Sequence, residues 1–192
     1  MNIQGINPSL RSKSSWKLQN LTDKVNKLKD NKTPVSFIAL VETWLKSHIS
    51  DAQLNINDYN IFRSDRCLSK NGGVLLYIHN SIIIDCFSCY DDDFCSAVVC
   101  LSTTSNCVIA CLYRPPGCSK ESFSNTLNFI SEFINSNNNL NKLQCFLFGD
   151  FNFPQLCWKN SQITSYVSLS SIELEKFTNN HFLSQYIHES TR

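Results

Sequence analysis

The stretch Gln144-Cys-Phe-Leu-Phe-Gly-Asp-Phe-Asn-Phe-Pro154 carries an apolar run straight into a Gly-Asp-x-Asn turn. Residues 144–148 read as a buried strand, because a short apolar run bounded by turn formers has that length and ending. Two other runs end alike: Phe37-Ile-Ala-Leu-Val41 meets Glu42, and Val108-Ile-Ala-Cys-Leu112 meets Tyr113-Arg-Pro-Pro-Gly117. In layered α/β folds the carboxyl ends of strands deliver side chains from a rigid core into a cleft. Two carboxylates, an amide and a phenol at such a rim suit a hard divalent cation, which takes one or two carboxylates and keeps several waters. A carboxylate beside a polarised water also serves as a general base. Each ending has a plainer reading as well. Glu42 can be the first solvated residue after a strand, and Gly149-Asp-Phe-Asn152 a simple turn.

Working outward, Leu18, Leu21, Val25 and Leu28 recur at helical spacing and predict an amphipathic helix over Lys13–Lys29. Pro34 ends it, and Val35–Val41 follows as a buried strand. Residues 1–6 read as the end of a strand. Tyr59–Arg63, Gly73–His79, Ile82–Cys86, Phe94–Leu101 and Cys107–Tyr113 read as further strands, the second entered through the turn signal Asn71-Gly-Gly73. Phe123, Leu127, Ile130 and Phe133 place a second helix over Ser119–Ile134, before the polar loop Asn135–Asn141. After Phe148 the chain reads as irregular, then as a short helix around Ile172–Asn180 and a last strand near Leu183–Ile187. With no repeat and no linker, residues 1–192 form one α/β domain. A two-sheet sandwich flanked by helices fits this order, and so does a single doubly wound sheet.

At 42% hydrophobic residues with 13 Phe, the chain can bury a full core, which excludes a disordered protein or a disulfide miniprotein. A net charge of +1 says nothing of nucleic acid. Locally, Arg11, Lys13, Lys17, Lys24, Lys27, Lys29 and Lys32 face only Asp23 and Asp30, which describes a solvated helix face better than a polyanion site. The ten cysteines lie largely in apolar strand-like runs, where thiols act as small hydrophobes; Cys86-x-x-Cys89 has no second pair to complete a zinc site. Without a secretory signal or a run of roughly 20 apolar residues, the chain reads as soluble and intracellular, in nucleus or cytoplasm, with reduced thiols and no membrane partner.

The motifs resemble those of the endonuclease/exonuclease/phosphatase superfamily. Val41-Glu-Thr-Trp-Leu45 is similar to its metal-glutamate strand end, and Gly149-Asp-Phe-Asn-Phe-Pro154 to its Gly-Asp-x-Asn motif. Asn2 in Met-Asn-Ile-Gln-Gly-Ile resembles its first-strand Asn, and Cys111-Leu-Tyr-Arg-Pro-Pro-Gly117 the strand with its active-site Tyr. Ile56-Asn-Asp-Tyr-Asn-Ile-Phe-Arg-Ser-Asp-Arg66 and Asn71-Gly-Gly-Val-Leu-Leu-Tyr-Ile78 look like the endonuclease domain of LINE-type retrotransposons, in the chicken-repeat/jockey-like branch. Ser190-Thr-Arg192 resembles a loop before a late strand of those domains.

The resemblance implies a four-layer α/β/β/α sandwich and a DNA-nicking phosphodiesterase using Mg²⁺ or Mn²⁺, with no small-molecule cofactor. It implies that Glu42, with Asn2 beside it, holds the metal. Asp150 orients or deprotonates the attacking water, Asn152 holds its position and touches the phosphate, and Tyr113 binds the scissile phosphate or assists at the developing charge. Arg66 and Thr191 would contact the DNA backbone. One departure stands out: the family's late Ser-Asp-His motif, whose His assists the phosphate, is not in this sequence. That leads to the expectation of a domain lacking its final strands, weak or inactive alone. The alternatives are a non-catalytic relic with residual nucleic-acid binding, or a phosphatase or RNA exonuclease of the same superfamily. His79, His181 and His188 match no motif.

Overall fold

A computed structural model describes residues 1–6, 13–66, 71–92, 94–137, 143–153, 156, 158–159, 162–163 and 168–186. The elements run α1 (Lys13–Asp30), β1 (Phe37–Val41), a 3₁₀ turn (Asp51–Leu54), β2 (Tyr59–Ser64), β3 (Val74–His79), β4 (Cys86–Asp91), β5 (Ser96–Ser102), β6 (Cys107–Tyr113), α2 (Lys120–Ser136), β7 (Gln144–Asp150), β8 (Trp158–Lys159), β9 (Gln162–Ile163) and α3 (Leu169–Asn180). Two sheets carry the fold. One is antiparallel in the order β1-β3-β2; the other runs β4-β5-β6-β7, antiparallel except where β6 and β7 pair in parallel through the α2 crossover. The single doubly wound sheet is thereby excluded, and the two-sheet sandwich with helices on its outer faces holds.

Three apolar layers explain the stacking. Leu21 and Val25 of α1 pack with Leu40, Leu75 and Tyr77 on the outer face of the first sheet. Val41, Val74, Leu76 and Ile78 meet Val98, Cys100, Ile109, Cys111 and Tyr113 between the sheets. Val99, Leu101, Val108 and Leu112 meet Phe123, Leu127 and Ile130 of α2, with Leu174 and Phe177 of α3. β5 and β6 are buried at every position because both their faces are covered, which is why they read as continuous apolar runs. Ser119 caps α2 by accepting from the Ser122 amide.

Local differences from the sequence reading have physical causes. Ile82 and Ile84 pack against the inter-sheet core from a turn, and the strand there begins at Cys86. Residues 183–186, expected in a strand, have no regular structure: the Leu183 amide closes the end of α3 on the Thr178 carbonyl, and Tyr186 is exposed. Residues 1–6 contribute one parallel bridge, Asn2 to Val41. The short hairpin β8–β9 lies in the stretch read as irregular. Leu28, expected on the apolar stripe of α1, is 40% exposed. Of the basic cluster, Lys17 binds the carbonyls of Ile3 and Gln4 (2.7 Å each) and Lys29 pairs with Asp58 (2.6 Å), so both hold the fold rather than await a polyanion.

Candidate active site at the seam of the sandwich

The register brings the three strand endings together. Tyr113 and Asp150 are parallel partners at the ends of β6 and β7, and Asn2 bridges to Val41, the residue before Glu42. Glu42 comes from one sheet and Tyr113 from the other, and the Tyr113 hydroxyl donates to Glu42 Oε1 at 2.5 Å across the seam. Asn2 Nδ2 donates to Asp150 Oδ2 (3.3 Å), and the Asn152 amide to Asp150 Oδ1 (3.1 Å). Both carboxylates are therefore oriented by donors, as a preorganised site requires.

Gly149 makes the pairing possible. A Cβ there would sit 2.1 Å from the Leu112 carbonyl oxygen, so the close approach of β7 to β6 beside the cluster excludes any side chain. Positive φ also gathers here, at Gln4 (46°), Glu42 (59°), Trp44 (55°) and Asn152 (48°). Non-glycine residues held in this region cost of order 1–3 kcal/mol each, and such strain collects at functional sites. The surroundings over-determine it. Carbonyls of Glu42 and Thr43 accept from the Gly5 and Ile6 amides, while the Thr43 and Trp44 amides donate to Gly73 and Gly72.

Burial pushes the Tyr113 phenol above its ordinary value, helped by its hydrogen bond to Glu42 and the charges of Glu42 and Asp150, with Arg66 opposing. Tyr113 is thus a neutral donor at physiological pH. Arg66 lies buried within electrostatic reach of that phenol, its main-chain carbonyl held by Lys46 Nζ at 2.8 Å. Five residues predicted from sequence (Asn2, Glu42, Tyr113, Asp150 and Asn152) share one cluster, with Arg66 beside it. Thr191 lies outside the described residues, as does His188. His79 sits at the opposite end of β3, bonded to Ser81, and His181 ends α3, bonded to Ser131 of α2 (2.9 Å).

Two contributors were missed. Arg114, directly after Tyr113, is buried; its guanidinium stacks on Phe153 (4.1 Å) and donates to the Phe151 and Asn152 carbonyls, while Asn152 Nδ2 donates back to the Arg114 carbonyl at 2.7 Å. That reciprocal clamp fixes Asn152. An Arg ending a buried strand before Pro-Pro was the available signal. Trp44 donates its indole N–H to Glu42 Oε2 at 2.7 Å.

Glu42, Asp150 and the Asn2 amide make an all-oxygen donor set with only two carboxylates, which fits a hard cation that keeps waters and not a zinc site. Among the described residues no group of three or more His, Cys, Asp or Glu forms a denser metal cage. A shallow hollow beside β2, lined by Asp51, Asn55, Tyr59 and Asn60, lies toward the other end of that sheet and takes no part.

No protein-family model matches the chain, and no curated protein sequence does. Solved structures do. The AP endonuclease LMAP from Leishmania major is similar at TM-score 0.55 and 12% identity, over 94% of this chain and 65% of its own. An endonuclease/exonuclease/phosphatase from Bacteroides vulgatus is similar at TM-score 0.54 and 14% identity, over 95% of this chain and 70% of its own. The chain thus has the fold of endonuclease/exonuclease/phosphatase proteins, and it spans about two thirds of the length of these neighbours. Among the described residues no helix is long and apolar enough to cross a membrane.

Proposed function

We propose that this chain is a metal-dependent phosphodiesterase domain that nicks DNA, of the kind carried by LINE-type retrotransposons. The observation that carries the reading is the convergence of Glu42, Asn2, Tyr113, Asp150 and Asn152 on one seam, each carboxylate held by a donor. Glu42, with Asn2 nearby, would hold Mg²⁺ or Mn²⁺. When bound, such a cation polarises a phosphoryl oxygen and offsets charge that develops on it.

The chain's own groups do the rest. Asp150, oriented by Asn2 and the Asn152 amide, accepts a proton from the attacking water. Asn152, clamped by Arg114, keeps Asp150 aimed and reaches the phosphate. Tyr113, neutral and rigid, hydrogen-bonds the scissile phosphate, and Arg66 and Thr191 contact neighbouring phosphates. We read residues 1–192 as a domain whose final strands, with the Ser-Asp-His donor, are not in this sequence. Among the described residues β7 pairs with β6 alone and Phe146 is 38% exposed, which supports this reading.

The test is a substrate panel of supercoiled plasmid, oligoadenylate and phosphoinositide with Mg²⁺ or Mn²⁺. Asp150→Ala and Glu42→Ala serve as controls, and Mn²⁺ affinity is measured alongside. Nicking lost in both variants and absent from the other substrates is the expected result. Cleavage that prefers oligoadenylate or phosphoinositide would move the assignment to an exonuclease or phosphatase. A second reading, a non-catalytic relic that keeps nucleic-acid affinity, draws on the distance of His79 and His181 from the cluster. DNA retention without any Asp150-dependent cleavage would favour it.

A further inference from the structure

Trp44 stands in a conformation that an ordinary loop residue would avoid. Its φ is +55°, a region where a bulky side chain is a real outlier, and Glu42 two residues earlier is at +59°. Strain of this kind persists only where neighbours enforce it, and three do. The Trp44 amide donates to the Gly72 carbonyl at 2.8 Å. The indole ring lies on Gly5, where an added Cβ would come within 2.6 Å of Trp44 Cε3. The indole N–H donates to Glu42 Oε2 at 2.7 Å. Backbone, ring and donor are all committed, although 36% of the residue faces solvent.

Glu42 is consequently gripped from both sides: Oε1 by the Tyr113 hydroxyl of the second sheet, Oε2 by Trp44 of its own loop. A carboxylate has about four lone-pair sites, so two donors leave each oxygen able to ligate a cation. They also fix the plane of the carboxylate, which a flexible Glu side chain would otherwise sample freely. Indole N–H is a donor only, so it cannot itself compete for the cation.

We infer that Trp44 is a positioning residue that presents Glu42 to a divalent cation, with Gly5 as the seat of its ring. The inference rests on the metal-site reading above. Partners that orient a metal ligand typically contribute 10–100-fold in affinity, so Trp44→Phe, which keeps a ring and removes the donor, is expected to weaken Mn²⁺ binding by roughly 10-fold or more. Gly5→Ala, which unseats the ring and keeps the donor, is expected to weaken it in the same direction.

The experiment uses the full 192-residue chain. Calorimetry gives Mn²⁺ affinity for wild type, Trp44→Phe, Gly5→Ala and Glu42→Ala, with circular dichroism to confirm folding. In ¹⁵N-labelled wild type the Trp44 indole resonance, one of three such signals, is followed without metal, with Mg²⁺, and in Glu42→Gln. It should shift in Glu42→Gln and move again with Mg²⁺ in wild type. Wild-type binding that is lost in Glu42→Ala and unchanged in Trp44→Phe overturns this inference alone. No binding in wild type overturns the metal site and the inference with it. If Trp44→Phe does not fold, the wild-type resonance decides: an indole signal indifferent to Glu42→Gln overturns the positioning role.

Discussion

Tyr113 shows how one side chain gathers several constraints. It ends a buried strand, crosses to the other sheet and stays protonated because burial and two carboxylates disfavour its phenolate. A hydrogen bond to a charged group is worth about 1.5–3 kcal/mol, so Tyr113→Phe should lower stability by about that order near neutral pH. The sign of its pH dependence follows from a folded pKa raised above the unfolded value. The contribution is fully present below about pH 10 and is lost as pH rises further. Denaturant unfolding of both proteins should give a constant difference between pH 7 and 9 that shrinks above pH 10. A difference that instead grew in alkali would contradict the neutral-donor role. At this scale the sequence was informative wherever a polar residue closed an apolar run, as at Glu42 and Asp150. It gave only the placing of Arg114 before Pro-Pro and nothing for Trp44, because the seat of the Trp44 ring on Gly5 and the grip of Arg114 on residues 151–152 join parts distant along the chain.

Elements were legible in proportion to their burial. Runs covered on both faces, such as Cys107–Tyr113, could be bounded from composition alone, and α2 announced itself by the stripe Phe123, Leu127, Ile130. The edge strand β4, exposed or half-exposed throughout in Cys-Phe-Ser-Cys-Tyr-Asp, offered no such contrast, and its reading slipped toward the apolar Ile82–Ile84. The parallel pairing of β6 with β7 had no sequence signal except the α2 crossover and Gly149. Gly149→Ala tests that pairing. The methyl must displace the Leu112 carbonyl, and overpacking of this kind costs about 1–3 kcal/mol or more. We expect a lower urea midpoint together with a broadened or shifted Tyr113 environment by NMR. An unchanged midpoint would mean that the two strands do not approach so closely.

For the whole molecule, a layered α/β domain was readable from the alternation of strands and helices, whereas the choice between one sheet and two was not, because both satisfy the same apolar pattern; the resemblance of the motifs supplied that choice. Activity belongs to this scale too. The described part of the chain brings a carboxylate pair, a phenol and an amide to the seam, while His79 and His181 are bonded to Ser81 and Ser131. Loss of one preorganised donor to a developing oxyanion costs on the order of 10²–10³ in rate. Under the DNA-nicking proposal, with no Ser-Asp-His in the sequence, the 192-residue chain should therefore nick supercoiled plasmid weakly. Fusion to a family-like segment carrying Ser-Asp-His should raise nicking and solubility together, in a manner that depends on Asp150. Vigorous Asp150-dependent nicking by the unextended chain would show that another group supplies the missing donor.

The hydrogen bond from Tyr113 to Glu42 spans the gap between the sheets, so the filling of that gap acts as a gauge block for the cleft. Val98, Cys100, Ile109 and Cys111 set its thickness against Val74, Leu76 and Ile78. A methylene gained or lost deep in the seam is therefore a change in the bore of the cleft, made without touching any residue that lines it. Exchanges that trade volume across the gap leave that dimension alone, which lets the interior drift in identity while its calibre stays constant.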